Sequence, residues 1–190
     1  EHSFNVSTFT ARTITSSLSD IHGAITGAIA SLKGPLHGGA NEEVMHMMKK
    51  IKTPDNALKW IKKSLANKAV IMGFGHRVYK SGDSRVPSME KCFRQVAKIK
   101  KDKKLEKIYD IIARVILEKK NIYPNVDYPT GPMYHLMGFD TDFFTPIFVI
   151  ARITGWSAHI MEQHTANKLI RPLASYKGNK HRKVIQLNQR

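Results

Sequence analysis

No stretch of this chain alternates apolar and polar residues for long enough to make a sheet strand. Apolar residues recur instead at helical spacing, in blocks separated by glycine and proline. That pattern predicts an all-α fold. A helix is expected over 19–33, capped by Ser19 and stopped by Gly34-Pro35. Its small residues Gly23, Ala24, Gly27 and Ala28 permit close packing, which suits a buried or subunit-interface helix. Residues 40–51 put Val44, Met45, Met48 and Ile51 on one face, and Thr53-Pro54-Asp55 signals a helix start running to about residue 67. Gly73, Gly75, Gly82 and Pro87 make 70–87 a long loop. Helices resume over 88–100 and 104–120, with a connector at 121–125. The apolar run 144–163 reads as a core helix, and the polar, basic residues from 171 onward as an extended tail. No internal repeat is present.

The 190 residues, 42% of them hydrophobic, suffice for one large domain or two small ones with a sizeable core. Lys and Arg number 31 against 15 Asp and Glu, a formal net charge of +16. That excess favours nucleic acid, anionic lipid, or a phosphorylated or carboxylated small ligand. The lone Cys92 excludes an intrachain disulfide and suits a reducing, cytoplasmic compartment; its side chain reads as a half-buried small apolar group. No apolar run approaches the roughly 20 residues of a membrane span. The start has neither the basic nor the apolar region of a signal peptide and no initiator Met, so a fragment is expected.

The run Lys98-Ile99-Lys100-Lys101-Asp102-Lys103-Lys104 is a candidate for nucleic acid. It lacks interleaved aromatics and any helix-turn-helix or zinc signature, and reads better as a solvated helix junction. His2, His22, His46, His135, His159, His164 and His181 show no metal-ligand spacing, so no metal is expected. No Gly-x-Ser-x-Gly occurs, and Cys92 has no activating base nearby in sequence.

The chemistry-bearing residues lie in the breaks between helices. Leu36-His37-Gly38-Gly39-Ala40-Asn41 sets a histidine at a helix entry, where glycines admit a ligand and the helix dipole keeps the imidazole neutral. A structural loop histidine competes with that reading. Met72-Gly73-Phe74-Gly75-His76-Arg77-Val78-Tyr79-Lys80, followed by Asp83-Ser84-Arg85, offers backbone groups and cations to an anion, although it is not a Walker loop. Asp127 stands amid apolar and turn residues, as a helix cap or as a functional carboxylate. Arg152 interrupts an apolar helix and needs an anionic partner, from the protein or from a ligand; Arg171 follows another apolar patch.

Together these breaks resemble the citrate synthases. The resemblance is carried by Glu1-His2-Ser3-Phe4-Asn5 through Arg12, by Gly34-Pro35-Leu36-His37-Gly38-Gly39-Ala40-Asn41 and by Gly73-Phe74-Gly75-His76-Arg77-Val78-Tyr79-Lys80. Asn125-Val126-Asp127 and Phe144-Thr145-Pro146 through Gly155-Trp156 complete it, in matching order over essentially the whole chain. It implies an enzyme that joins a short acyl-CoA to oxaloacetate. Asp127 would remove a proton from the carbon beside the thioester, neutral His37 would donate to the thioester oxygen, and His76 would polarise the ketone. By the same carry-over His2, Arg85, Arg152 and Arg171 hold oxaloacetate, Arg171 reaching the neighbouring subunit's site. Met72, Gly73, Phe74, Gly75 and Lys80 meet CoA.

The family is all-α and dimeric, with a small domain expected at 39–140 and parts of a large domain at 1–38 and 141–190. Helices 19–33 and 144–163 match its interface helices. No cofactor is implied, since the CoA thioester is a substrate, and no nucleic acid or membrane partner. Family members carry a long, mostly helical region ahead of the position of His2, and its absence implies a chain that folds poorly or is inactive alone. Glu1-His2-Ser3-Phe4-Asn5, Ile160-Met161-Glu162-Gln163 and Leu169-Ile170-Arg171-Pro172 are more similar to 2-methylcitrate synthases than to dedicated citrate synthases. Propionyl-CoA is then the expected substrate. Acetyl-CoA remains open, because one methylene discriminates by only about 1–3 kcal/mol. A basic nucleic-acid-binding module and a non-catalytic dimerisation fragment are the rival readings.

Overall fold

A computed structural model describes residues 3–179 and 182–190. The described residues form eight α-helices: α1 Val6–Ser16, α2 Ile21–Leu32, α3 Ala40–Ile51, α4 Pro54–Ala66, α5 Val86–Lys100, α6 Lys103–Lys120, α7 Asp127–Met137 and α8 Phe144–Thr165. Side-chain caps start several of them. Asn5 accepts from the Thr8 N–H, Asp20 from Gly23, Thr53 from Asn56 and Asp102 from Leu105. The cap of α2 is therefore Asp20, not Ser19, because its carboxylate supplies the oxygen that the third amide needs.

Two helices went unread in the sequence. The α1 sequence is rich in threonine and serine, poor helix formers, and is held by its Asn5 cap and tertiary packing. The α7 sequence carries Pro129, Gly131 and Pro132, and survives because that stretch is buried against neighbouring helices. Gly131 is required there: a Cβ would meet the Asn41 carbonyl oxygen at 2.6 Å. The long loop 67–85 is not featureless either. Phe74 pairs with Pro124 in an isolated antiparallel bridge, the Gly75 N–H donates to the Tyr123 carbonyl, and the Asn125 N–H donates to the Gly73 carbonyl.

Two hydrophobic cores organise the chain. The larger joins α3 to α7 around Val44, Met48, Ile61, Phe93, Tyr109, Ile112 and Tyr128. Aromatic rings run through it, with Phe93–Tyr109, Tyr109–Tyr128 and Tyr128–Phe74 centroids 5.0, 4.4 and 4.3 Å apart. The Tyr128 hydroxyl donates to the Tyr109 carbonyl at 2.9 Å, which pins the first turn of α7. The smaller core joins α1, α2 and α8 around Ala11, Ala24, Ala28, Leu32, Trp156 and Ile160. The expected close approach of α2 is present: a Cβ on Gly27 would collide with Ile14 of α1.

Candidate active site

A cavity of about 420 Å³ opens where the two cores meet. Phe4, Asn5, Phe148 and Arg152 line it from the smaller core's side. Met72 to Tyr79, Arg85 and Asp127 line it from the larger core's side, and His37 stands between them.

His37 lies in the turn that joins α2 to α3. Its Nε2 accepts from the Ser7 backbone N–H at 3.2 Å and lies 2.7 Å from Ser7 Oγ. A ring nitrogen that accepts an N–H carries no proton, so the proton sits on Nδ1 and the imidazole is the neutral tautomer. Ser7 is held in turn: Asn5 Oδ1 is 2.9 Å from its hydroxyl, and Trp156 Nε1–H donates to Ser7 Oγ at 3.3 Å. The adjoining glycines are required by packing, and Gly38 also lines the cavity. A Cβ on Gly38 would strike Leu32, and one on Gly39 would meet the Lys33 carbonyl at 2.6 Å.

His76 has the opposite tautomer. Its Nδ1 accepts from the Val78 and Tyr79 N–H groups at 3.0 and 3.2 Å, leaving Nε2–H as the donor. Burial, then the nearby Arg85 and Lys80 charges, lower its pKa against an opposing pull from Asp83, so the ring stays neutral near pH 7.

Asp127 is the first residue of α7 and does not cap it; Asn125 Oδ1 takes the Asp127 N–H at 3.1 Å instead. Among the described residues no hydrogen-bond donor reaches the Asp127 carboxylate. Burial pushes its pKa up to about 7, with Arg85 pulling down and Asp83 pushing up.

Arg85 is clamped by Asp83, Nε to Oδ1 at 2.9 Å and Nη2 to Oδ2 at 2.7 Å, with the Tyr79 ring stacked on it. That pairing occupies one edge of the guanidinium and leaves the edge bearing Nη1 for a second anion. Asp83 itself is only 4% exposed, and Arg85 holds its carboxyl below the usual carboxylate range. Arg152 is buried on α8 with its guanidinium over the Phe148 ring at 4.9 Å.

The structure thus brings His37, His76, Asp127, Arg85, Arg152, Met72, Gly73, Phe74 and Gly75 around one cavity. Lys80 does not line it; its Nζ donates to the His76 carbonyl at 3.0 Å. Arg171 is exposed on the segment after α8 and does not line it. His2 lies outside the described residues. Backbone groups of Gly73 and Gly75 are already engaged, and Asn125 Nδ2 donates to the Gly75 carbonyl at 2.9 Å. Among the described residues no cluster of His, Cys, Asp and Glu is arranged to hold a metal ion, and no helix is long and apolar enough to cross a membrane.

Sequence reasoning assigned no role to Ser7, Asp83 or Asn125. Asp83 was detectable as a carboxylate two residues before a candidate ligand arginine. Ser7 was detectable only once Asn5 was recognised as a helix cap.

The citrate synthase C-terminal domain profile matches residues 1–173. The chain is 58% identical over 190 residues to 2-methylcitrate synthase 2 of Corynebacterium glutamicum, covering 100% of this chain and 50% of that protein. It is 52% identical over 185 residues to a citrate synthase of Mycolicibacterium smegmatis, covering 97% of this chain and 49% of that protein. The solved ternary complex of citrate synthase from Thermoplasma acidophilum with carboxymethyl coenzyme A and oxaloacetate superposes with a TM-score of 0.92 at 36% identity. That match covers 100% of this chain and 52% of the other. The chain spans about half the length of the relatives it matches. With its all-helical architecture and the histidines and arginines gathered around one cavity, it belongs to the citrate synthase family, of which it spans the C-terminal domain.

Proposed function

We propose that the protein carrying this chain condenses propionyl-CoA, and also acetyl-CoA, with oxaloacetate and water to give 2-methylcitrate or citrate and free CoA. The observation that carries this reading is a partly buried carboxylate, Asp127, that faces the same cavity as two histidines of opposite tautomer and that no hydrogen-bond donor among the described residues reaches. An ordinary aspartate with a pKa of about 3.9 is a feeble base toward a carbon acid. Asp127 is stronger by the extent to which burial disfavours its charge.

In this reading Asp127 removes the proton next to the thioester carbonyl while His37 Nδ1–H donates to the thioester oxygen, so an enol forms without a full negative charge. The enol carbon attacks the oxaloacetate ketone carbon. His76 Nε2–H polarises that ketone and passes a proton to the developing alkoxide; the ring takes one back from solvent and stays neutral, while Asp127 releases to solvent the proton it took from carbon. Water then attacks the thioester carbonyl and CoA leaves as the thiol. Arg85 and Arg152 hold the two oxaloacetate carboxylates, with His2 and, from the neighbouring subunit of a homodimer, Arg171. The loop from Met72 to Gly75 meets the CoA adenine and Lys80 a phosphate.

Residues 39–140 act as a small domain that closes on 1–38 and 141–190, expelling water from the seam. A cytoplasmic setting suits the single cysteine. The 58% identity to a 2-methylcitrate synthase favours propionyl-CoA, and the 52% identity to a citrate synthase keeps acetyl-CoA as the second substrate.

Following thiol release by the whole protein tests this directly. Both acyl-CoAs should release thiol only with oxaloacetate present, with kcat/KM for propionyl-CoA at least equal to that for acetyl-CoA. Asp127→Asn should lower kcat roughly a thousandfold. Thiol release unchanged by that substitution would overturn the mechanism. A strong preference for acetyl-CoA would overturn only the 2-methylcitrate assignment.

A further inference from the structure

Elsewhere in the molecule, α4 and α6 lie side by side and enclose a groove of about 610 Å³. No residue that lines it also lines the cavity described above. On α4 the lining residues Leu58, Lys62, Leu65 and Ala66 follow helical spacing, so they form one stripe about 12 Å long at 1.5 Å per residue. On α6, Arg114, Val115, Glu118 and Lys119 form the facing stripe. The floor is apolar: Val115 is buried and Leu58 remains 40% exposed. The rim carries Lys62, Arg114, Lys119 and Lys120 against a single carboxylate, Glu118.

We propose that this groove docks an acidic amphipathic helix of a partner protein. Two parallel helical stripes with an apolar floor accept a third helix by ridge-into-groove packing, with its apolar residues at i and i+4 seated between them. The charge of the rim selects glutamates and aspartates on that helix's flanks. Local needs account for only part of the rim. Lys119 and Lys120 also answer the dipole at the C-terminus of α6, but Lys62 and Arg114 stand before the ends of their helices.

A second copy of this chain is a poor occupant, because a two-fold contact sets the same four cations against themselves. A compact metabolite is poor too, since the polar side chains of the groove are exposed and none is fixed by burial to orient it. A nucleic acid backbone would leave the apolar floor unused.

The test uses the whole protein and a fluorescein-labelled peptide with leucines at helical spacing and glutamates on both flanks, read by anisotropy. A scrambled peptide of the same composition, a duplex DNA oligonucleotide and equimolar phosphatidylserine–phosphatidylcholine vesicles are run beside it. The ordered peptide should bind more tightly than the scrambled one. The double variant Lys62→Glu, Arg114→Glu should weaken it about tenfold or more, Leu58→Gln should weaken it several-fold, and thiol release should be unchanged in both variants. Equal binding of the scrambled peptide, or no effect of the double variant, overturns the proposal. DNA or vesicles that bind and are released by the same double variant overturn it in favour of a nucleic acid or lipid surface.

Discussion

The larger core is filled by long side chains from α3 to α7, by Phe144 at the start of α8, and by a run of packed aromatic rings. Half of the buried residues of the smaller one are alanine, and it is closed by Trp156, Leu32 and Ile160. Burial of apolar area stabilises by roughly 25 cal/mol per Å², so leucine, isoleucine and aromatic side chains contribute far more than alanine. The smaller core substitutes close helix approach for side-chain volume. It also leaves Phe9, Ile29, Ile150, Ile153 and Met161 exposed on α1, α2 and α8. The first region holds itself together, whereas the second offers a face still to be covered. The cavity sits on the seam, with Asp127 and His76 on the well-filled side and Asn5 and Arg152 on the other.

Residue-resolved amide exchange separates the two regions most strongly. Phe93→Ala should lower the opening free energy of α3–α7 amides by about 3–5 kcal/mol. The α1, α2 and α8 amides should start lower and move less. A uniform drop across all eight helices would merge the regions into one cooperative unit.

Glycine replacements sharpen the contrast at the next scale. Gly131→Ala drives a Cβ onto the Asn41 backbone oxygen, which cannot swing away. Gly27→Ala meets only the tip of the Ile14 side chain. Overpacking costs about 1–3 kcal/mol, so Gly131→Ala should lie near the top of that range in urea unfolding and Gly27→Ala near or below its bottom. The reverse order would mean that α1 and α2 are packed more rigidly than α3 and α7. Smallest is Glu162→Ala. It removes the mostly exposed partner of Arg12 between α8 and α1, and should shift the thermal melt only marginally.

Much of this was legible beforehand. Helical spacing located six of the eight helices, and Thr53-Pro54 marked the start of α4 to the residue. The α1 and α7 helices escaped because their stability is tertiary: β-branched residues and internal prolines argue locally against helix, and only burial and caps outweigh them. The resemblance picked out His37, His76 and Asp127. The glycines beside His37 have a second reason that the sequence did not show, since a side chain there would collide with Leu32 and Lys33. The neutral state of His37 traces to the Ser7 N–H, 30 residues away in sequence, which no local pattern could show.

The seam imposes one quantity on which the rest depends. With the folded pKa of Asp127 near 7 and an unfolded value of about 3.9, the folded state binds the proton more tightly. The stability this confers is full below about pH 4 and is lost as pH rises through about 7, up to about 4 kcal/mol in all. Asp127→Asn should remove that slope and stabilise the protein at pH 7. Catalysis runs the other way, rising with the ionised fraction. The direct measurement is the ¹³C shift of the Asp127 carboxyl in the whole protein, assigned by its disappearance in Asp127→Asn and followed from pH 3 to 9. A midpoint near 7 is the predicted result; a midpoint near 4 would make Asp127 an ordinary hydrated carboxylate and contradict its role as the base.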